Sequence, residues 1–120
     1  MADVYHIGRK GEELAKEHLV GNGFEILETN WQSSHLEVDI IARKNNVLVA
    51  VEVKTRSTNF FGEPEVFVTR QKQRMLIRAV NHYLLQNNLH LEVRFDIISV
   101  VFTKNEHRLR HIEDAFYPLM

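Results

Sequence analysis

The chain has 120 residues, no cysteine, 44% apolar and 26% charged residues, and a formal net charge of −1 with its histidines neutral. Such a chain supports one globular domain spanning residues 1–120 with a core of its own. It has no disulfides or thiolate metal sites, which suits a reducing cytoplasm, and no apolar run long enough for a leader core or a membrane span.

The first predicted element is a helix in the stretch from His6 to Phe24. At about 100° per residue, Ile7, Gly11, Leu14, Ala15, His18 and Leu19 share one face. Glu12 then lies about 100° from the centre of that face, able to reach inward, whereas Glu13 lies opposite and is solvated. His18 is expected to be half-buried and hydrogen-bonded. None of the seven histidines falls in a metal-ligating pattern such as H-E-x-x-H. From Phe24 to Trp31 the alternation of Phe24 and Ile26 against Leu27 and Thr29 predicts a strand.

Residues 35–56, HLEVDIIARKNNVLVAVEVKTR, predict a hairpin. Val38, Ile40 and Ile41 lead into a polar turn at Asn45-Asn46, and Val47 to Val53 return. Side chains two apart share a face, so Ala50, Glu52 and Lys54 line one side and Val49, Val51 and Val53 the other. Asp39, Glu52 and Lys54 are costly on such strands unless they are paired or hold a metal. Two carboxylates from neighbouring strands suit Mg²⁺ or Mn²⁺, and an adjacent lysine can position a water or offset phosphate charge. A salt bridge near a sheet end would satisfy the same three residues. Glu37, on the same face as Asp39, is either a further acid of the site or a rim charge.

The composition of Thr55 to Pro64 predicts a loop, with Phe60-Phe61 anchoring it on the core or stacking on an exposed base. Thr69 is placed to cap a helix running to about Asn87, with Leu76, Ala79, Val80, Tyr83 and Leu84 as its buried stripe. Arg70, Lys72 and Arg74 fall in its first turns, where the macrodipole favours anions rather than cations. A bound phosphate would relieve that conflict, as would bridges to Glu63 or Glu65. Between Lys54 and Arg78 six basic residues stand against two acids, a local balance of +4 in a chain without overall positive charge. Val93 to Phe102 predicts a strand in which Asp96 pairs with Arg94 or a neighbouring strand. His107 to Ile112 returns as an edge strand after a turn at Lys104-Asn105.

Gly11-Glu12 on a helix, the Asn30-Trp31 strand end, E-x-D-I-I-A, V-E-V-K-T-R, F-G-E-P, a basic helix and R-F-D-I-I succeed one another along nearly the whole chain. This succession resembles the YraN-like family of bacterial proteins, which is similar to Holliday-junction resolvases of the PD-(D/E)xK superfamily. The resemblance implies an α/β, restriction-endonuclease-like fold, with a central mixed β-sheet flanked by helices on both sides. Residue by residue, Glu12 takes the place of the helix acid, Asp39 that of the first strand acid, and Glu52 with Lys54 that of the E-x-K. It also places a lysine at Lys72. Leu36 departs from the glycine the family usually carries before E-x-D, which bears on the turn and on substrate approach.

What the resemblance implies is a metal-dependent nuclease cutting phosphodiester bonds in branched or irregular DNA rather than RNA. Asp39 and Glu52 would hold Mg²⁺ or Mn²⁺ with Glu12 completing the acids, and Lys54 would orient or deprotonate the attacking water. Arg56, Arg70, Lys72 and Arg74 would contact the nucleic acid, and a homodimer follows by analogy. A nucleic-acid-binding module of the same fold without turnover is the alternative. An interaction scaffold with a purely structural charge network is a third.

Overall fold

The structure, a computed structural model, describes residues 4–57 and 67–117. Helix α1 (Val4–Gly21) is followed by strands β1 (Glu25–Ser33), β2 (Leu36–Lys44) and β3 (Val47–Ser57). Helix α2 (Arg70–Gln86) and strands β4 (Glu92–Phe102) and β5 (His107–Phe116) complete the chain order. One five-stranded sheet results, in the order β1-β2-β3-β4-β5. Its neighbours are antiparallel except β3 and β4, which run parallel and are joined through α2. This is an α/β fold in a restriction-endonuclease-like arrangement, as the sequence predicts.

Strand parity explains why there are two apolar layers, one on each face of the sheet. Leu48 and Ala50 of β3 pack with Leu76, Ala79, Val80 and Tyr83 of α2. Val49 and Val51, on the other face, pack with Ala15 and Leu19 of α1. Burying a Leu, Ile or Val fully is worth roughly 1.5–3 kcal/mol each, so β3, lined on both faces, anchors the domain. Thr69 caps α2 as expected, its Oγ1 accepting from Lys72 N at 3.2 Å. Helix α1 closes with Phe24 N donating to Leu19 O at 2.9 Å, and Gly23 turns the chain at φ +88°. The helix therefore stops at Gly21 instead of running toward Phe24.

Two further boundaries move. Thr55 to Ser57, assigned to a loop on composition, continue β3 because they pair with Val100 to Phe102 of β4. Strand β5 runs past Ile112 to Phe116. Phe60, Phe61, Glu63 and Glu65 lie outside the described residues. Gly11 is buried where α1 meets β3, and a Cβ built there would overlap the Thr55 side chain. Only glycine lets the helix approach this closely, which brings the neighbouring Glu12 to the sheet.

Candidate functional site

The site begins with a parting of strands. Pairing of β2 with β3 runs from Lys44↔Val47 to Ile40↔Val51 and ends there. Beyond it β2 stays with β1 as far as Leu36↔Ser33, and β3 stays with β4 as far as Ser57↔Phe102. The buried faces record the break: Leu36 and Val38 belong to the layer under α2, whereas Ile40 and Ala42 belong to the layer under α1. Strict alternation would keep all four on one face. Asp39 sits at the switch, and Asn30, between two β1 residues that pair on either side of Asp39, adopts φ +50°. The N–H of Val53, next in line on β3, donates to Asp39 Oδ2 at 2.8 Å. A carboxylate thus accepts a hydrogen bond where the backbone ladder has stopped.

Glu52 shares a face of β3 with Ala50, as the alternation predicts, and its side chain is only 13% exposed. Burial and the nearby Asp39 charge push its carboxyl up to about 7, against opposing pulls from Lys72 and, more weakly, Lys54. Burial also raises Asp39, while the Val53 N–H and a side-chain hydrogen bond with Glu52 pull it down. That bond couples the two carboxyls, so a proton taken up there belongs to the pair. Glu12 is raised by burial and then by Asp39, and Asn30 hydrogen-bonds its side chain. Glu12 Oε1 and Glu52 Oε2 are buried and meet no hydrogen-bond partner.

The three acids form a chain with Asp39 in the middle. Among the described residues no three His, Cys, Asp or Glu side chains are gathered into a preformed ligand cluster. The donor chemistry nevertheless fits a hard divalent cation: carboxylate oxygens only, two of them buried without a donor. A cleft of about 640 Å³ opens beside Asp39, lined by Ile7, Arg9 and Glu12 of α1 and by Thr55 and Arg56 of β3.

The basic residues separate. Lys54 is exposed on β3 and Arg56 is exposed at the cleft. Lys72 points to the acids instead of outward, with Nζ 3.9 Å from Glu52 Oε1. Arg70 and Arg74 are exposed. By helical angle they lie nearly opposite the Leu76, Ala79, Tyr83 stripe, so they face away from the sheet. Leu36 is buried under α2 at the far end of β2 from the turn and does not line the cleft. Asn30 and the Val53 N–H were not legible as site members, because nothing in T-N-W or V-E-V marks a broken ladder. Glu37 is exposed and its charge reaches both Glu12 and Asp39.

Asp96 is structural, as expected. It is 1% exposed and accepts from Arg94 Nε and Nη2 and from Asp114 N, each at 2.9 Å. His111 Nε2 lies 2.8 Å from its Oδ2, and His18 Nε2 lies 3.1 Å from His111 Nδ1. His18 is thereby half-buried and hydrogen-bonded. Among the described residues no helix is long and apolar enough to cross a membrane.

The model of the Uncharacterised protein family UPF0102 matches residues 11–100, a span that contains Glu12, Asp39, Glu52, Lys54 and Lys72. The chain is similar to a UPF0102 protein of Flavobacterium psychrophilum, 50% identical over 117 residues and 98% of both chains. A UPF0102 protein of Christiangramia forsetii is 49% identical over the same length, again 98% of both. One from Porphyromonas gingivalis is 43% identical over 122 residues, covering all of this chain and 90% of its own.

Proposed function

The chain belongs to the uncharacterised protein family UPF0102, and we propose that it is a metal-dependent nuclease hydrolysing phosphodiester bonds, in branched or irregular DNA. The observation that carries this reading is the carboxyl pair at the strand parting. Asp39 and Glu52 are pressed together under burial with Glu12 on the other side of Asp39, and two of their oxygens lack any donor. A fold seldom keeps so many unsatisfied acids for stability alone, since each buried unpartnered group costs about 1–3 kcal/mol.

Asp39 and Glu52 would hold Mg²⁺ or Mn²⁺, with Glu12 joining directly or through a water. When bound, the cation supplies charge stabilisation to the phosphate under attack. The Val53 N–H fixes one oxygen of Asp39, so that carboxylate is oriented before substrate arrives. Lys54 orients or deprotonates the attacking water and offsets the charge that develops on phosphorus. Arg56 at the cleft contacts the backbone of the strand being cut. Arg70 and Arg74, on the outer side of α2, contact a part of the substrate away from the acids, as an irregular or branched molecule allows. The setting is the cytoplasm, and a homodimer would present two such centres.

A second reading draws on Lys72 closing on Glu52 and on the bond joining Asp39 to Glu52. An acid centre partly neutralised from within suits a nucleic-acid-binding module without turnover. Incubation with Mn²⁺ and four-way junctions, flaps, single strands and plain duplex separates the two. Cleavage is expected from the parent and absent from folded Asp39→Asn and Glu52→Gln. A parent that binds these molecules and cuts none supports the module.

A further inference from the structure

Lys72 is unlike the other cations of its helix. It is the third residue of α2, and Thr69 Oγ1 holds its backbone N–H at 3.2 Å. At about 100° per residue its side chain leaves the helix close to the direction of Leu76, Ala79 and Tyr83, toward the sheet. The ammonium reaches Glu52 Oε1 at 3.9 Å, and the side chain as a whole is 39% exposed. Its charge pulls on Asp39 as well as on Glu52, and on Glu52 it outweighs Lys54. The contact is incomplete, because Glu52 Oε2 remains without a partner. One monovalent cation therefore stands against a carboxyl pair that it only partly satisfies.

We propose that Lys72 is the resident counter-ion of the Asp39–Glu52 pair, competing with a divalent cation for it and turning to a substrate phosphate once displaced. The inference rests on the metal-dependent reading of the same site. Two carboxylates in contact repel each other, and a nearby cation relieves that repulsion. An ammonium and a divalent ion cannot both sit against the pair without repelling one another, so either weakens the other. Lysine suits such an exchange because its flexible four-carbon stem lets the charge swing to a new partner.

Calorimetric titration of Mn²⁺ into the parent, Lys72→Met, Lys72→Arg and Lys54→Met, at fixed ionic strength, tests this without any cleavage. Lys72→Met keeps the aliphatic stem and should bind Mn²⁺ about three- to tenfold tighter, an effect that shrinks with added salt. Lys72→Arg should stay within about twofold of the parent, and Lys54→Met should change less than Lys72→Met. With Mn²⁺ present, Lys72→Met should also bind a nuclease-resistant phosphorothioate strand more weakly than the parent does. Circular dichroism establishes that each variant is folded, and Lys72→Gln serves if the Met variant is not. If the parent binds Mn²⁺ and both neutral variants bind equally or more weakly, the role given to Lys72 is overturned while the metal reading stands. If neither parent nor variants bind Mn²⁺, both fall together.

Discussion

Asp39 and Asp96 interrupt the same sheet by the same device. Asp39 lies where β2 leaves β3, and Asp96 lies where the pairing of β4 with β5 skips between Phe95 and Ile97. Each carboxylate accepts a backbone N–H from the neighbouring strand, Val53 for Asp39 and Asp114 for Asp96. Their surroundings then diverge. For Asp96, burial alone would raise the carboxyl, but hydrogen bonds from His111, Arg94 and Asp114 N outweigh it and hold the group below its ordinary value. Asp39 has one such N–H, the bond with Glu52 and the more distant pull of Lys72, which together do not offset burial, so its carboxyl is raised. A buried carboxylate surrounded by donors serves the fold. One surrounded by other acids costs stability and leaves room for a ligand.

The largest contrast should come from removing each aspartate. Asp96→Ala removes the buried acceptor of the half-buried Arg94 and His111 and of Asp114 N–H, and should cost about 3–5 kcal/mol in urea unfolding. Asp39→Asn keeps an acceptor for Val53 N–H and ends the repulsion, so stability should hold or rise by about 1 kcal/mol. Equal losses at both positions would break the comparison.

Proton linkage sharpens it. Glu52 in the folded chain binds its proton up to about 7, against 4.5 for an ordinary glutamate. The folded state then holds more protons than the unfolded one between those values, so the Glu52 contribution is present below 4.5 and lost as pH rises through 7. The loss should amount to roughly 1–3 kcal/mol. Asp96 acts in the opposite sense, its contribution being present above 3.8 and lost as pH falls through its depressed folded value. His18, lowered by burial and by His111, also gives a stability that rises with pH. The readout is therefore the difference between the parent and Glu52→Gln in melting temperature across pH 5 to 8. The two curves should converge toward low pH and separate toward high pH, with the variant the more stable.

Gly11→Ala tests the seating of α1 that brings Glu12 to Asp39. The added methyl meets Thr55 and should cost about 1–3 kcal/mol, most of it recovered in a Gly11→Ala/Thr55→Ala double variant by thermal unfolding. The smallest effect is expected on the helix itself. Glu12→Gln should stabilise by about 0.5 kcal/mol, because it removes a partly buried charge that faces Asp39, whereas exposed Glu13→Gln should change nothing measurable.

Much of this was legible in the residues. Runs of β-branched residues and their two-residue period mark β2, β3 and β4, and Thr69 with the Leu76–Tyr83 stripe marks α2. The outward direction of Arg70 and Arg74 was also available, from the same helical angle that places the stripe. Other features depend on partners distant in sequence. Thr55 to Ser57 look like a loop until β4 supplies a strand for them to pair with. The side from which Asp39 meets Glu52 cannot come from alternation, since alternation fails at that residue. The resemblance marks Lys72 and the helical angle turns it inward, but its closing on Glu52 depends on the α2 crossover that carries it there.

The most direct test of the acid pair as a cation site is the melting temperature of the parent, Asp39→Asn and Glu37→Gln across a Mn²⁺ series at neutral pH. A ligand that binds only the folded state raises it in a saturable way. The expected result is a saturable rise in the parent, retained in Glu37→Gln and abolished in Asp39→Asn. An equal rise in parent and Asp39→Asn, or none in the parent, would contradict it.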